Sequence, residues 1–448
     1  MTARPSLPAA AARLTTVTAL LAALAAPGIA QAEPTPAPIP PEATLTTTPA
    51  RGADRTSPHY PGVTTKNTDG CPHREVPPPP VDTSEVPEPG QTAPSPLPVP
   101  SPPVGGERLG ACGLILPAGA PPAPAGIDSS GWLIADITTG RVLAAKDPHG
   151  RYRPASTIKL LLAQVALRDL HLDTVVTGTP EDAAQEGDAV GIGPGGHYTV
   201  RDLLLGLLLL SGNDCAHALA MQLGGVAVTV DKMNALADSL GAHDTRVASP
   251  SGLDAPGMST SPYDEVLILR AALADKTFRQ LDETKEAFFP GYPARRDVPG
   301  DKPHPGYTML NEDRLLFDIP GGIGGKTGYT DDAEKTYVGA VQRSGQTYVI
   351  SQMFGLAYQG NSYWDQYRRL LAYGESLPPG ASVGELPGDQ PAVASDADGG
   401  AQAAGFAAPA RATAHAARHP LTKLLLAVGG LLLVAAVVGA TLRTSRRR

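Results

Sequence analysis

The sequence predicts an α+β fold: one antiparallel sheet with helices packed on it. Two observations predict it. The stretch from about 109 to 377 opens and closes on strand-like pairs, and its middle reads as helix. The flanks are too rich in proline and glycine to share in a core, so this one stretch must build it.

The first strand pair is "GWLIADITTGRVLAAKD", which alternates and turns at Thr139-Gly140, as a β-hairpin does. Helical patterns follow in "STIKLLLAQVALRDL", "TVRDLLLGLLLLSGNDCAHALAMQLG" and "AVTVDKMNALADSLG". The Leu203–Leu210 run is too short to span a bilayer and is flanked by Arg201, Asp202 and Asp214, so it reads as a buried core helix. A second hairpin joins "KTYVGAVQR" to "QTYVISQMF" through Ser344-Gly345. Last comes "SYWDQYRRLLAYG", a helix with Ser362 as N-cap and Gly374 expected just past its end. No internal repeat is present.

Composition bounds the rest. The chain has 448 residues with 47 prolines and 49 glycines, too many for one compact fold. With two tryptophans and six phenylalanines, the core must be mostly Leu, Val, Ile and Ala. A net charge of −8 argues against a nucleic-acid footprint, which is basic and clustered. The ten histidines are scattered and neither HExxH nor CxxC occurs, so no metal and no cofactor is expected.

Residues 33–108 form a Pro-rich arm expected to be disordered and partly polyproline II; residues 378–419 form a low-complexity stalk. Residues 1–32 read as a secretory signal peptide: Arg4 and Arg13, an apolar run, then Ala30-Gln31-Ala32. Residues 424–442 carry no charge and are long enough to cross a bilayer as a transmembrane helix. Arginines at 443 and 446–448 follow, which by the positive-inside rule makes 443–448 a cytoplasmic tail and everything before Leu424 extracytoplasmic. The expected location is the cell membrane, single-pass. Cys71 and Cys112 are available to pair, tying the arm to the domain edge, while Cys215 reads as a packed small hydrophobe.

The chemistry starts at "RPASTIKLLLA". A serine opening a helix is most often a cap. But Lys159 lies three residues after Ser156, on the same helical face, and can reach its hydroxyl. The helix N-terminus offers N–H groups to a developing oxyanion. A lysine serves as a base near neutrality only if burial or neighbouring cations lower its pKa. The second stretch is Ser211-Gly212-Asn213, between two apolar helical segments; the third is Lys326-Thr327-Gly328, leading into a strand. Each alone carries little information. S-x-x-K, S-x-N and K-T-G occur here in order, 55 and 115 residues apart, and that set is shared by penicillin-binding proteins and class A β-lactamases.

Residues 109–377 resemble the low-molecular-mass D-alanyl-D-alanine carboxypeptidases, serine peptidases of the penicillin-binding group (the S11 family). Besides the triplet, "LLLGLLLLSGNDCAHALA", "MNALADSLGAHDTRVASPSGLD" and "GIGGKTGYTDDAEKTYVGAVQRSGQ" look like the family's blocks. The resemblance implies a β-lactamase/transpeptidase-like fold and these roles. Ser156 attacks the carbonyl between the last two D-alanines of a peptidoglycan stem pentapeptide and is acylated. Lys159 takes its proton, Ser211 relays one to the leaving amine, and Asn213 positions substrate and Lys159. Lys326 and Thr327 recognise the terminal carboxylate, Gly328 allows close approach, and the backbone N–H groups of Ser156 and Tyr329 form the oxyanion hole. β-Lactam antibiotics are the implied covalent inhibitors.

This chain departs from the pattern in places. Tyr329 stands where many members have histidine, and Glu334-Lys335 where many have glycine after "TDDA". No room remains for the frequent second β-rich domain after Gly374, and the spanning segment replaces an amphipathic tail. Competing readings are a class A-like β-lactamase, a DD-endopeptidase and a non-catalytic wall-binding protein. The first wants E-x-x-L-N after S-x-N, absent from 214–325; the last sits badly with an unbroken triplet.

Overall fold

The computed structural model describes residues 67–355 and 361–388. Strand β1 (Leu114–Ile115) leads to the hairpin of β2 (Ser129–Asp136) and β3 (Arg141–Lys146). A 3-10 turn, Ala155–Ile158, runs into α1 (Lys159–Asp169). Strand β4 (Val175–Thr177), short α2 (Pro180–Ala183) and β5 (His197–Thr199) precede α3 (Val200–Leu209), α4 (Asn213–Gln222) and α5 (Val226–Ser239). Next come α6 (Pro262–Ala274), α7 (Lys276–Asp282), the pair β6 (Glu286–Phe289) and β7 (Tyr307–Leu310), and α8 (Leu315–Asp318). The chain continues through β8 (Gly322–Thr330), β9 (Glu334–Arg343), β10 (Gln346–Gly355), α9 (Tyr363–Ser376) and β11 (Gly384–Glu385).

The main sheet runs β1-β3-β2-β10-β9-β8, with β11 also on β3, and every pairing is antiparallel. The two sequence-legible hairpins meet where β10 pairs β2, Ile350 facing Ile134. The period of two sorts side chains between faces. Trp132, Ile134, Tyr337, Tyr348 and Ile350 pack against Trp364, Tyr367 and Leu370 of α9. Leu133, Ala135, Val338, Ala340 and Val349 face the larger core with Leu160–Val165, Leu203–Leu209 and Val266–Leu269. Each Val, Leu or Ile side chain among them, fully buried, contributes about 1.5–3 kcal/mol. The observed architecture is the expected α+β one.

Ser362 caps α9 as expected: its hydroxyl accepts from Asp365 N, and the Asp365 carboxylate accepts from Ser362 N. Gly374 does not lie past the helix end; α9 runs on to Ser376. The glycine serves packing instead, since a Cβ there would stand 2.9 Å from Ile134 Cγ2. Lys326-Thr327-Gly328 lies within β8 rather than ahead of a strand, because β8 pairs β9 along its length.

The larger correction concerns the arm. Of residues 33–108, expected to be disordered, 67–108 are laid along the domain. Their proline-rich backbone makes short turns such as Val86 N to Thr83 O and Gln91 N to Glu88 O, and buried side chains of the domain answer several of its carbonyls. Arg151, 1% exposed, donates to the carbonyls of Glu75, Leu97 and Pro98. Arg153 donates to Pro78 O and pairs with Glu85. Proline has no N–H to leave unmet, so a strap of prolines needs only its carbonyls answered, and arginine supplies donors in a fork. Cys71 and Cys112 form a disulfide at the strap's start, and Cys215 is free and buried. The stalk's first residues are ordered too: β11 lies on β3, and Glu385 N donates to Gly105 O of the strap. The signal segment 1–32, the rest of the arm and stalk, the 424–442 span and the 443–448 tail lie outside the described residues. Among the described residues no helix is long and apolar enough to cross a membrane.

Candidate active site

The nucleophile candidate sits on a turn whose shape the sequence dictates. Pro154 starts the 3-10 turn, Ala155 takes a left-handed φ of +48°, and Ser156 follows. In a 3-10 turn residues i and i+3 eclipse, so the side chains of Ser156 and Lys159 are brought together. Lys159 Nζ lies 2.6 Å from Ser156 Oγ. Ser156 is not the cap the simplest sequence pattern suggests: the turn's cap residue is Pro154, and no side chain caps it.

Lys159 is completely buried, within 2.7 Å of both Asn213 Oδ1 and Ser251 O. Asn213 turns its oxygen to the lysine because its Nδ2 donates to Glu186 O at 2.6 Å. Burial, and secondarily the positive charge of Lys326, hold the Lys159 amine well below the usual lysine range. A neutral amine has two N–H and one lone pair. Asn213 Oδ1 and Ser251 O can only accept, so the lone pair faces the one partner able to donate, the Ser156 hydroxyl.

Ser211 breaks α3 from α4 in a left-handed conformation, φ +62°, and its buried hydroxyl has no hydrogen-bond partner among the described residues. Asp214 fixes this region by accepting from the backbone N–H groups of Val190, Gly191 and Ile192. On the opposite wall, Lys326 is buried and donates to Thr327 O at 3.0 Å. Burial lowers its pKa, against the pull of Glu312, Asp188, Asp313 and Asp282. A Cβ on Gly328 would overlap Thr336 Oγ1 and stand 2.8 Å from Ser156 N, so only glycine lets β8 come this close to the turn. Tyr329 is 37% exposed, its hydroxyl on Asp331 and its ring beside the Lys335 ammonium.

Sequence reasoning named Ser156, Lys159, Asn213 and Gly328, which the geometry brings together by direct contact or close approach. The sequence assigns no role to Ser251 and Gly252 of "SPSGLD". Gly252 has φ +89°, and a Cβ there would overlap the Ala155 carbonyl. The signal was a Ser-Gly turn pair, which marks a turn without saying what lies against it. It also missed Glu265, wholly buried, 2.8 Å from the Thr157 hydroxyl next to the nucleophile.

A buried, desolvated lysine on a serine hydroxyl, at the edge of an antiparallel sheet flanked by helices, defines the class of serine acyl-transfer enzymes. Residues 118–356 match the peptidase S11 family model, described as D-alanyl-D-alanine carboxypeptidase. The chain is 46% identical over 275 residues to D-alanyl-D-alanine carboxypeptidase DacB2 of Mycobacterium tuberculosis, covering 61% of this chain and 90% of the relative. It is 32% identical to DacD of Salmonella typhimurium over 269 residues, 57% of this chain and 64% of the relative. Among solved structures, a D-alanyl-D-alanine carboxypeptidase from M. tuberculosis H37Rv superposes with TM-score 0.56 at 46% identity, over 61% of this chain and all of that one. The S216A mutant of the Streptomyces K15 DD-transpeptidase gives 0.51 at 29%, over 56% and 99%. The chain belongs to the S11 family of D-alanyl-D-alanine carboxypeptidases.

Proposed function

We propose that the chain is a serine D-Ala-D-Ala carboxypeptidase that trims peptidoglycan stem pentapeptides through an acyl-enzyme. The observation that carries the proposal is the 2.6 Å contact between Ser156 Oγ and a fully buried Lys159 Nζ. Ser156 Oγ attacks the penultimate D-alanine's carbonyl carbon while its proton passes to Lys159 Nζ. The backbone N–H groups of Ser156 and Tyr329 receive the oxyanion, in keeping with the close approach of Gly328 to Ser156 N. The C–N bond then breaks, and the terminal D-alanine leaves with a proton relayed through Ser211. Water cleaves the resulting ester, returning the serine and the shortened peptide.

Lys326 and Thr327 take the substrate's terminal carboxylate, as an ammonium beside a hydroxyl suits an anion. Asn213 holds both Lys159 and the substrate amide. β-Lactams acylate the same serine. The signal segment and the apolar 424–442 run carry a further part of the proposal: a single-pass membrane protein whose domain lies outside, beside its polymer substrate. The test is incubation of the chain and its Ser156→Ala variant with a stem pentapeptide ending in D-Ala-D-Ala, followed by mass spectrometry. Loss of one alanine only with Ser156 present supports the proposal; no loss from folded parent protein rejects it.

A further inference from the structure

The strap, residues 67–108, lies outside the 118–356 span of the family match, yet its contacts converge on the catalytic turns. Arg153 stands three residues before Ser156 and is 2% exposed. Its Nε and Nη2 grip the Glu85 carboxylate as a fork, the second bond at 2.8 Å. Its Nη1 donates to Pro78 O at 2.8 Å and reaches Asp332 O at 3.4 Å. Asp332 stands in the turn between β8 and β9, four residues after Gly328, and is 3% exposed. Its carboxylate accepts from Val81 N and, at 3.1 Å, from Ser84 Oγ. Strap residues 78–85 are therefore bonded at once to the approach to the nucleophile and to the end of the strand carrying Lys326, Thr327 and Gly328.

Between Arg153 and Ser156 lies Ala155, at φ +48°, a conformation unfavourable for a non-glycine residue that persists only where the surroundings enforce it. On the far side the turn is held by Thr157, whose Oγ1 is 2.8 Å from both Pro154 O and Glu265 Oε1. Thr336 of β9 donates to Pro154 O at 2.8 Å. On the near side the side chain anchoring it is Arg153, and among the described residues the carboxylate paired with that guanidinium is the strap's Glu85.

We infer that the strap is a positioning element of the active site: through Glu85–Arg153 and Asp332 it holds the strained Ala155–Ser156 turn in register with β8. The inference rests on Ser156 being the nucleophile. Removing Glu85 leaves Arg153 buried with its charge unpaired, a loss felt at the turn. Among the described residues the strap reaches the catalytic segments through Arg153 and Asp332 rather than the substrate groups themselves, so it acts on the rate of acylation more than on substrate capture.

The experiment uses the full chain with Glu85→Ala, Glu85→Gln, Asp332→Ala and Ser156→Ala, and a fluorescent penicillin. The second-order acylation constant, kcat and KM for pentapeptide, and thermal melting are measured on each. Expected are a ten- to hundredfold fall in acylation and kcat for Glu85→Ala, KM within about threefold, and partial recovery in Glu85→Gln, which keeps an acceptor. Asp332→Ala should show the same split, and it decides the matter if Glu85→Ala does not fold. Cooperatively melting Glu85→Ala or Asp332→Ala proteins that acylate within twofold of the parent overturn the inference. Labelling of Ser156→Ala would instead overturn the assignment of the nucleophile, a distinct failure.

Discussion

At the scale of the residue, the chemistry turns on where two protons sit. Lys159 works as a base only while neutral, and burial favours the neutral form. As pH falls through its lowered pKa the amine gains a proton and loses the lone pair that faces Ser156. The acylation rate should therefore fall on the acid side, with a midpoint below the usual lysine range; a profile of penicillin acylation against pH measures it, and a midpoint in the ordinary lysine range would contradict the role. Glu265 is the second case. Burial raises its pKa from 4.5 to about 7. Its neutral form also fits the geometry, since one Thr157 hydrogen cannot serve Pro154 O and Glu265 Oε1 at once. A raised carboxyl contributes stability at pH below 4.5 that is lost as pH rises through about 7. Glu265→Gln should thus be more stable than the parent by roughly 3 kcal/mol at pH 8, at 1.36 kcal/mol per pKa unit, and nearly equal to it at pH 4. Melting curves at the two pH values check the sign.

At the scale of the element, two glycine-bearing segments close on one turn. Gly252 admits the Ala155 carbonyl and Gly328 admits the Ser156 amide. Gly252→Ala adds both an overlap with backbone and a disfavoured φ of +89°, so it should destabilise the fold by about 2–4 kcal/mol and suppress acylation, read by melting and by penicillin labelling. Gly328→Ala should mainly push β8 off the turn, cutting acylation at least tenfold with a smaller change in melting temperature. The strongly periodic elements were legible in the sequence: both hairpins, the buried Leu-rich helix, and α9 with its Ser362 cap. Local pattern suffices for these because it states which face is buried. Gly374 was misread as a helix end because a glycine that stops a helix and one that packs against Ile134 look alike until the sheet is in place. The S-x-x-K, S-x-N and K-T-G set was legible by chemistry and order. Ser251, Gly252 and Glu265 were not, because their part depends on neighbours far away in the chain.

At the scale of the whole molecule, the domain is larger than its sequence pattern. Proline-rich composition implies that residues 67–108 cannot fold alone, but says nothing of Arg151 and Arg153 waiting to satisfy their carbonyls. The Cys71–Cys112 disulfide joins residues 41 positions apart in the sequence. Its removal by Cys71→Ser with Cys112→Ser should cost about 2–4 kcal/mol, measured as a lower melting temperature than the oxidised parent. An unchanged melting temperature would mean that the non-covalent anchors, among them Arg151, Arg153 and Asp332, hold the strap without the disulfide.

The strap's bonds also set an order of assembly. Val81 and Ser84 meet Asp332 across 251 and 248 residues of chain. Synthesis runs from the N-terminus, so the strap is among the first of the described residues to be made, while its partner comes near the last. Contacts so distant in sequence carry a loop-closure cost and slow folding. The segment that steadies the nucleophile is therefore made early, but its bonds to Asp332 can form only once the turn between β8 and β9 exists.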